Sequence, residues 1–319
     1  MAGYNTIRGL RVKYLSADPA NPENGQVWYN STTGNLRVNG IAAWSSGGAL
    51  GTSRSEQSGS AFPNSNITTG LIAGGGGVTA NSESYDGTSW SEGNNLNTAR
   101  SNLAGGGTTS AATLAGGYIP GVSPTQQNKA ENYNGTSWSN LPTLNQNRQL
   151  PSGCGTGPAT LIFGGFIPAL TAVTEEWNGS SWTTTGAMGT ARFKLGGTGT
   201  QTAGLAIGGA SYPIVGSTEE YNGSSWTGGG ALSTAREQAG ASGTQTAGLA
   251  FGGEDSGATS ATENYNGSSW TTSSASLATA RQSSGSGGSS SSALICGNFA
   301  SGSTATEEYN VGTANISTS

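Results

Sequence analysis

Apolar residues in this chain fall in short runs, each ending in glycine and set within long stretches of Ser, Thr, Gly and Asn. The runs span residues 71–74, 114–117, 161–165, 205–209, 249–253 and 294–297. A brief, unbroken apolar run predicts a strand covered on both faces. Each is preceded by an arginine: Arg54, Arg100, Arg148, Arg192, Arg236 and Arg281. Each is followed by a glutamate two residues before an aromatic: Glu83, Glu131, Glu175, Glu219, Glu263 and Glu307. Trp44, Trp90, Trp138, Trp182, Trp226 and Trp270 mark the same unit at intervals of 46, 48 and then 44 residues.

One unit can be read in full from Arg236. Residues 236–243 predict a small, polar first strand, 244–246 a turn, and 247–251 the apolar second strand. Gly252 and Gly253 end that strand where close packing or an unusual backbone angle excludes a side chain. A loop over 254–260 leads to a third strand at 261–265. Asn266-Gly267 predicts a two-residue hairpin turn into a fourth strand at 268–272. A period in the forties with four short strands is the signature of a β-propeller. The last unit lacks a tryptophan, and Val38-Asn39-Gly40 before Trp44 nearly copies the Tyr-Asn-Gly found before the others. Residues 38–46 are therefore expected to supply the outer strand of the last blade and close a ring of six.

Over 44–310 the pattern resembles the kelch family. Thr-Ala-Arg, a diglycine and a Tyr–Trp hairpin recur, as at Ser233-Thr234-Ala235-Arg236, Gly252-Gly253, Tyr265 and Trp270. The chain departs from that family in using Asn-Gly turns and in Gly297-Asn298, where the diglycine decays. Residues 1–37 are a separate element. Within them 26–30 and 35–38 flank 31–34 and predict a β-hairpin. The phrase from Asn24 to Val38 resembles a module near the start of bacteriophage tail proteins, especially those of cyanophages. Repeats rich in Asn-Gly-Ser-Ser-Trp also resemble virion proteins of such phages. The expected fold is thus all-β: a six-bladed kelch-like propeller over 38–319 with an N-terminal extended arm and hairpin over 1–37. The resemblance implies that the N-terminal segment attaches the protein to other virion proteins or to sister copies.

Composition alone would mislead, since 33% hydrophobic content, 9% charged content and 55 glycines fit a disordered chain. Disorder gives no reason for Trp, Arg and Glu to recur at fixed offsets. The net charge of −5 divides into about +2 over 1–43 and about −7 beyond. Outside the repeat arginines, that larger part has only Lys129 and Lys194 as cations, too few to track a phosphate backbone, so no nucleic-acid partner is expected. No apolar stretch is long enough to span a bilayer, so no membrane insertion is expected. Residues 1–15 hold no apolar core of a secretory signal. Cys154 and Cys296 occupy different repeat positions and read as small buried hydrophobes.

The chain has no histidine, which removes the commonest general base and transition-metal ligand. The copper-radical oxidases built on kelch propellers need histidine ligands. Sialidase-like propellers carry aspartate boxes, which Asn-Gly and Asp86-Gly87 do not match. No cofactor, no metal and no catalysis are expected on these grounds. The repeated Arg and Glu are expected to pair, within a blade or between blades. The tryptophans are expected to pack between blades. The candidate binding residues lie in the loops after the diglycine: Tyr118 and Ile119, Phe166 and Ile167, Tyr212 and Ile214. In a propeller such loops share one end of the ring, so three neighbouring blades would present a one-sided apolar sector. The matching loop at Glu254-Asp255-Ser256 is acidic.

The expected function is that of a non-enzymatic phage appendage, a tail fibre or spike, made in the host cytoplasm and located in the virion, binding a host surface glycan or protein. The rival readings are an architectural virion protein, such as a capsid decoration or tail collar, and a polysaccharide-degrading enzyme. Copies of the chain are free to form a homo-oligomer, though no coiled-coil heptad enforces one.

Overall fold

A computed structural model describes residues 12–17, 19, 26–56, 59–62, 67–283 and 285–315. The first part of the expected N-terminal arm, 1–11, lies outside the described residues. All regular structure among them is β-strand. The chain divides into two units, Met1–Ala43 with Asn310–Ser319, and Trp44–Tyr309.

In the smaller unit the strand Lys13–Leu15 runs parallel to Val27–Asn30, which pairs antiparallel with Asn35–Ser46 in the register Val27↔Val38 to Asn30↔Asn35. The four-residue loop at 31–34 is held by Asn30, whose Oδ1 accepts from the N–H groups of Thr32 and Thr33 at 3.1 and 3.0 Å. Trp28 is fully buried. Tyr14 stacks on Tyr29, with ring centroids 4.6 Å apart.

The larger unit is a ring of six blades, five of them four-stranded sheets, one of these interrupted in sequence by the two-stranded ribbon Phe166–Ile167 and Ala169–Leu170. Blade 1 is built from Gly59–Ala61, Gly70–Ala73, Ser82–Tyr85 and Trp90–Glu92; blade 5 from Gly240–Thr244, Ala247–Phe251, Thr262–Tyr265 and Trp270–Thr272. Blade 6 contributes Gly285–Gly288 and Ser292–Cys296, and its next strand, within 306–309, is followed outward by residues 44–46. There the Gly47 N–H donates to the Thr306 carbonyl at 2.9 Å. The first strand of each blade touches that of the next, and blade 6 returns to blade 1. Crowding of six innermost strands explains their glycines. A Cβ on Gly106 would lie 2.7 Å from the carbonyl oxygen of Gly155 in the neighbouring blade.

Apolar clusters form between blades. Leu205, Ile207 and Leu232 of blade 4 pack with Ala241, Ala250, Tyr265 and Trp270 of blade 5. Burying one such Leu or Ile stabilises by roughly 1.5–3 kcal/mol, so the second strands, apolar on both faces, carry the core. Every blade pairs its repeat tryptophan with the aromatic on its third strand, as Tyr265 does with Trp270 at 4.8 Å and Trp177 with Trp182 at 5.4 Å. Two of these indoles reach Thr Oγ1 of the preceding blade at 2.9 Å, Trp270 donating to Thr218 and Trp226 to Thr174.

Two expectations are corrected in detail. The outer hairpin turn is not a two-residue turn. Tyr265 pairs with Trp270, leaving 266–269 as a four-residue loop. Asn266 Oδ1 accepts from the Ser268 and Ser269 N–H groups at 3.0 and 2.9 Å, and this side-chain cap replaces the tighter turn. The first strand does not begin at Arg236 but at Gly240. Gln238 adopts a left-handed φ of 52°, which interrupts the extended backbone ahead of Gly240.

Candidate functional site

Each repeat arginine is buried at the start of its blade and pairs with the glutamate on the third strand of the same blade. Arg148 Nη2 lies 2.5 Å from Glu175 Oε1, Arg192 Nη2 3.0 Å from Glu219 Oε1, and Arg281 Nη2 2.6 Å from Glu307 Oε1. Arg54–Glu83, Arg100–Glu131 and Arg236–Glu263 repeat the arrangement. The second guanidinium nitrogen donates to carbonyls; Arg192 Nη1 reaches Gly208 O at 3.1 Å and Ser217 O at 2.6 Å. The carboxylate also accepts the N–H of Gly189 at 2.6 Å. Burial pulls the pKa of Arg100, Arg148, Arg192 and Arg236 down, while each glutamate pulls it up. These groups tie three strands together and are not free to meet a substrate.

With each arginine held in place, the backbone just beyond it turns sharply. Glu56, Asn102, Leu150, Lys194 and Gln238, each two residues after a repeat arginine, have φ between 52° and 58°. The left-handed turn aims each N–H at the preceding blade. Leu150 donates to Asn102 O at 2.8 Å, Lys194 to Leu150 O at 3.2 Å, Gln238 to Lys194 O at 2.7 Å, and Ser283 to Gln238 O at 2.9 Å. A chain of backbone bonds thus links blades 2 to 6. Backbone held in this sparsely populated region persists only where the surroundings enforce it, and such positions cluster at functional sites.

Inside this rim lies a cavity of about 60 Å³, lined by Lys194, Gln238, Ser283 and, from the innermost strands, Ser60, Ser152 and Ser286 among glycines. Lys194 Nζ pairs with Glu237 Oε1 at 2.6 Å and stands 5.5 and 5.7 Å from the rings of Phe193 and Phe299. Among the described residues no group of three His, Cys, Asp or Glu side chains is placed to hold a metal.

The loops after the diglycines rise from the same rim, because the residue following each arginine bridges to its own loop: Gln149 to Phe166, Phe193 to Ala210, Glu237 to Glu254. Of the expected binding residues, Phe166 and Tyr212 are brought together by Phe193. The Phe166–Phe193 and Phe193–Tyr212 centroids are 5.9 and 5.7 Å apart. Tyr212 is 73% exposed. Ile167 and Ile214 are half-buried beside them, and Tyr118 and Ile119 are half-buried in a separate loop outside this aromatic run. Sequence reasoning missed Phe193, Phe299, Lys194 and Gln238. For Lys194 and Gln238 the available signal was the position two after each arginine, where the residue varies from unit to unit while its surroundings repeat.

Cys154 and Cys296 are free and buried, and burial pushes both thiols up to about 12.

No protein-family model matches the chain, and no curated protein matches it. Among solved structures it is similar to that of YjhT, with a TM-score of 0.67 and 13% sequence identity over 84% of this chain and 99% of that one. At this identity the likeness is one of fold, a β-propeller. It corrects one expectation, that the chain is not an enzyme. The lack of histidine and of aspartate boxes does not exclude catalysis, because a propeller hosts unrelated functions on one scaffold, and carboxylate, lysine and tyrosine chemistry needs no histidine.

Proposed function

We propose that this protein is a recognition component of a phage particle, a tail-fibre or spike-type appendage whose propeller binds a host surface receptor through its loop-bearing end. The observation that carries the reading is the aromatic run Phe166–Phe193–Tyr212, which ends in a tyrosine 73% exposed. An exposed tyrosine seated on packed aromatic rings is a favoured anchor for a partner, since it offers large area at little conformational cost. The particle context comes from the sequence resemblance of the repeats and of residues 24–38. On this reading the smaller unit attaches the protein to other virion proteins.

The test is binding of the labelled full chain to host cells and to virions lacking this protein. Binding to cells, lost at least about ten-fold in Tyr212→Ser, supports a receptor-binding face. Binding to such virions alone, unaffected by Tyr212→Ser, overturns it in favour of an architectural role.

A further inference from the structure

Asn-Gly occurs six times in the chain, at Asn24, Asn39, Asn134, Asn178, Asn222 and Asn266. The last four occupy one place in blades 2 to 5, the four-residue loop between the paired aromatics of the third and fourth strands. The third strand runs back from the diglycine loop, so these hairpins stand at the end of the ring away from the loop-bearing rim. All four asparagines are exposed.

Each of the four carries the same hydrogen bonds. Asn134 Oδ1 accepts from the N–H groups of Thr136 and Ser137, both at 2.9 Å, and Asn178 Oδ1 from those of Ser180 and Ser181, both at 2.9 Å. Asn222 Oδ1 accepts from Ser224 and Ser225 at 3.0 and 2.9 Å, as Asn266 does from Ser268 and Ser269. In blades 3 to 5 the hydroxyls of Ser180, Ser224 and Ser268 add a third donor at 2.9, 3.0 and 3.0 Å. Donors held on a carbonyl oxygen stabilise the negative charge it gains when a nucleophile adds to its carbon. The nucleophile stands next in the chain. The N–H groups of Gly135, Gly179, Gly223 and Gly267 donate to no acceptor among the described residues.

Blade 1 shows that the loop accepts a carboxylate. Asp86 takes the asparagine's place, its Oδ1 accepting from Thr88 and Ser89 at 2.9 and 2.8 Å. The Ser89 N–H, and then that of Thr88, hold this carboxyl below the usual carboxylate range.

We propose that Asn134, Asn178, Asn222 and Asn266 are sites of spontaneous deamidation, which converts each hairpin to the acidic kind that blade 1 already carries. Water takes the proton from the Gly267 nitrogen, which bonds to Cγ of Asn266. Nδ2 gains a proton from water and leaves as ammonia, closing a succinimide ring. A second water opens that ring at either carbonyl carbon, giving aspartate or isoaspartate, with no oxidation or reduction. Each event adds one negative charge to a chain that starts at −5. The charges gather at the end of the ring away from Tyr212, so the inference is independent of the receptor-binding reading. Asn39-Gly40 shares the dipeptide but lies within the strand Asn35–Ser46, whose pairing opposes the backbone rotation that ring closure needs.

The test is incubation of the full-length protein in mildly alkaline buffer, followed by peptide mapping by mass spectrometry. The four hairpin asparagines are expected to convert at least about ten-fold faster than Asn39, and than the exposed Asn140 and Asn145, which precede Leu141 and Gln146. Unfolding in denaturant is expected to bring Asn39 up to the hairpin rate. Asn266→Asp, with the product already in place, is expected to keep the wild-type melting temperature. Hairpin asparagines that convert no faster than Asn39 in the folded protein overturn the proposal. So does a hairpin rate that rises about ten-fold or more on unfolding, which would mean that the loop protects the amide. An Asn266→Asp protein that fails to fold overturns the claim that the hairpin accepts the product.

Discussion

The indole of Trp44, at the start of the ring, packs against the phenol of Tyr309, at its end, with centroids 5.3 Å apart. The same indole N–H donates to Thr262 Oγ1 of blade 5 at 3.0 Å. One residue therefore fastens both ends of the ring and the adjacent blade. Trp44→Ala is expected to destabilise the protein by about 2–3 kcal/mol, less than for a fully buried tryptophan because Trp44 is half-buried. Denaturant unfolding measures it, and Trp44→Phe should recover much of the loss by keeping the ring contact.

The buried ion pairs predict an asymmetry. Arg148 and Glu175 have side chains at 0% exposure, so Arg148→Met strands a buried carboxylate and should cost about 3–5 kcal/mol. Adding Glu175→Leu should restore part of this. The shortfall reports the bonds from Arg148 Nη1 to the carbonyls of Gly164 and Val173, which the double variant also loses.

Alkaline pH should loosen the ring at identifiable tyrosines. Burial first, and then the carboxylate of the preceding blade, raise Tyr265 from 10.0 to about 12, beside Glu220; at Tyr221, beside Glu176, burial likewise leads. Both groups are neutral in either state below pH 10. Between about pH 10 and 12 the unfolded chain ionises while the folded one does not, so stability falls across that window. Stability measured against pH should show a shallower fall in the double variant Tyr221→Phe, Tyr265→Phe.

The diglycine positions should not accept alanine. Gly208 has φ +57°, and an added Cβ would lie 2.5 Å from the Arg236 carbonyl oxygen. Gly208→Ala is expected to cost more than the roughly 1–2 kcal/mol of left-handed strain alone, because backbone must also move. Thermal melting checks this against Gly228→Ala, whose Cβ would meet nothing within 4 Å.

The two thiols should be silent in the native protein. With both raised to about 12 by burial, Cys154 and Cys296 are almost wholly protonated at pH 8. Thiol reagents should label neither at a rate above that of unfolding, and both in denaturant. Fast labelling of either thiol in the folded protein would contradict the burial described for it.

What the sequence determined by itself was whatever repeats. The apolar run 247–251 was read as a strand with the bounds it has, and the order of strands, the number of blades and the pairing-prone Arg and Glu positions all came from a spacing kept over six units. Repetition made each unit a separate reading of the same physics. What varies between units could not be read that way. Nothing local marks Gln238 as left-handed; that angle is imposed because its N–H must reach Lys194 of the blade before, across a distance set only when the ring closes. Phe193 likewise joins Phe166 to Tyr212 because blades 3 and 4 stand side by side, and the cavity exists only where six innermost strands meet on the axis. Fold is written in local patterns that each blade satisfies with its neighbours, whereas the site is a property of the closed circle.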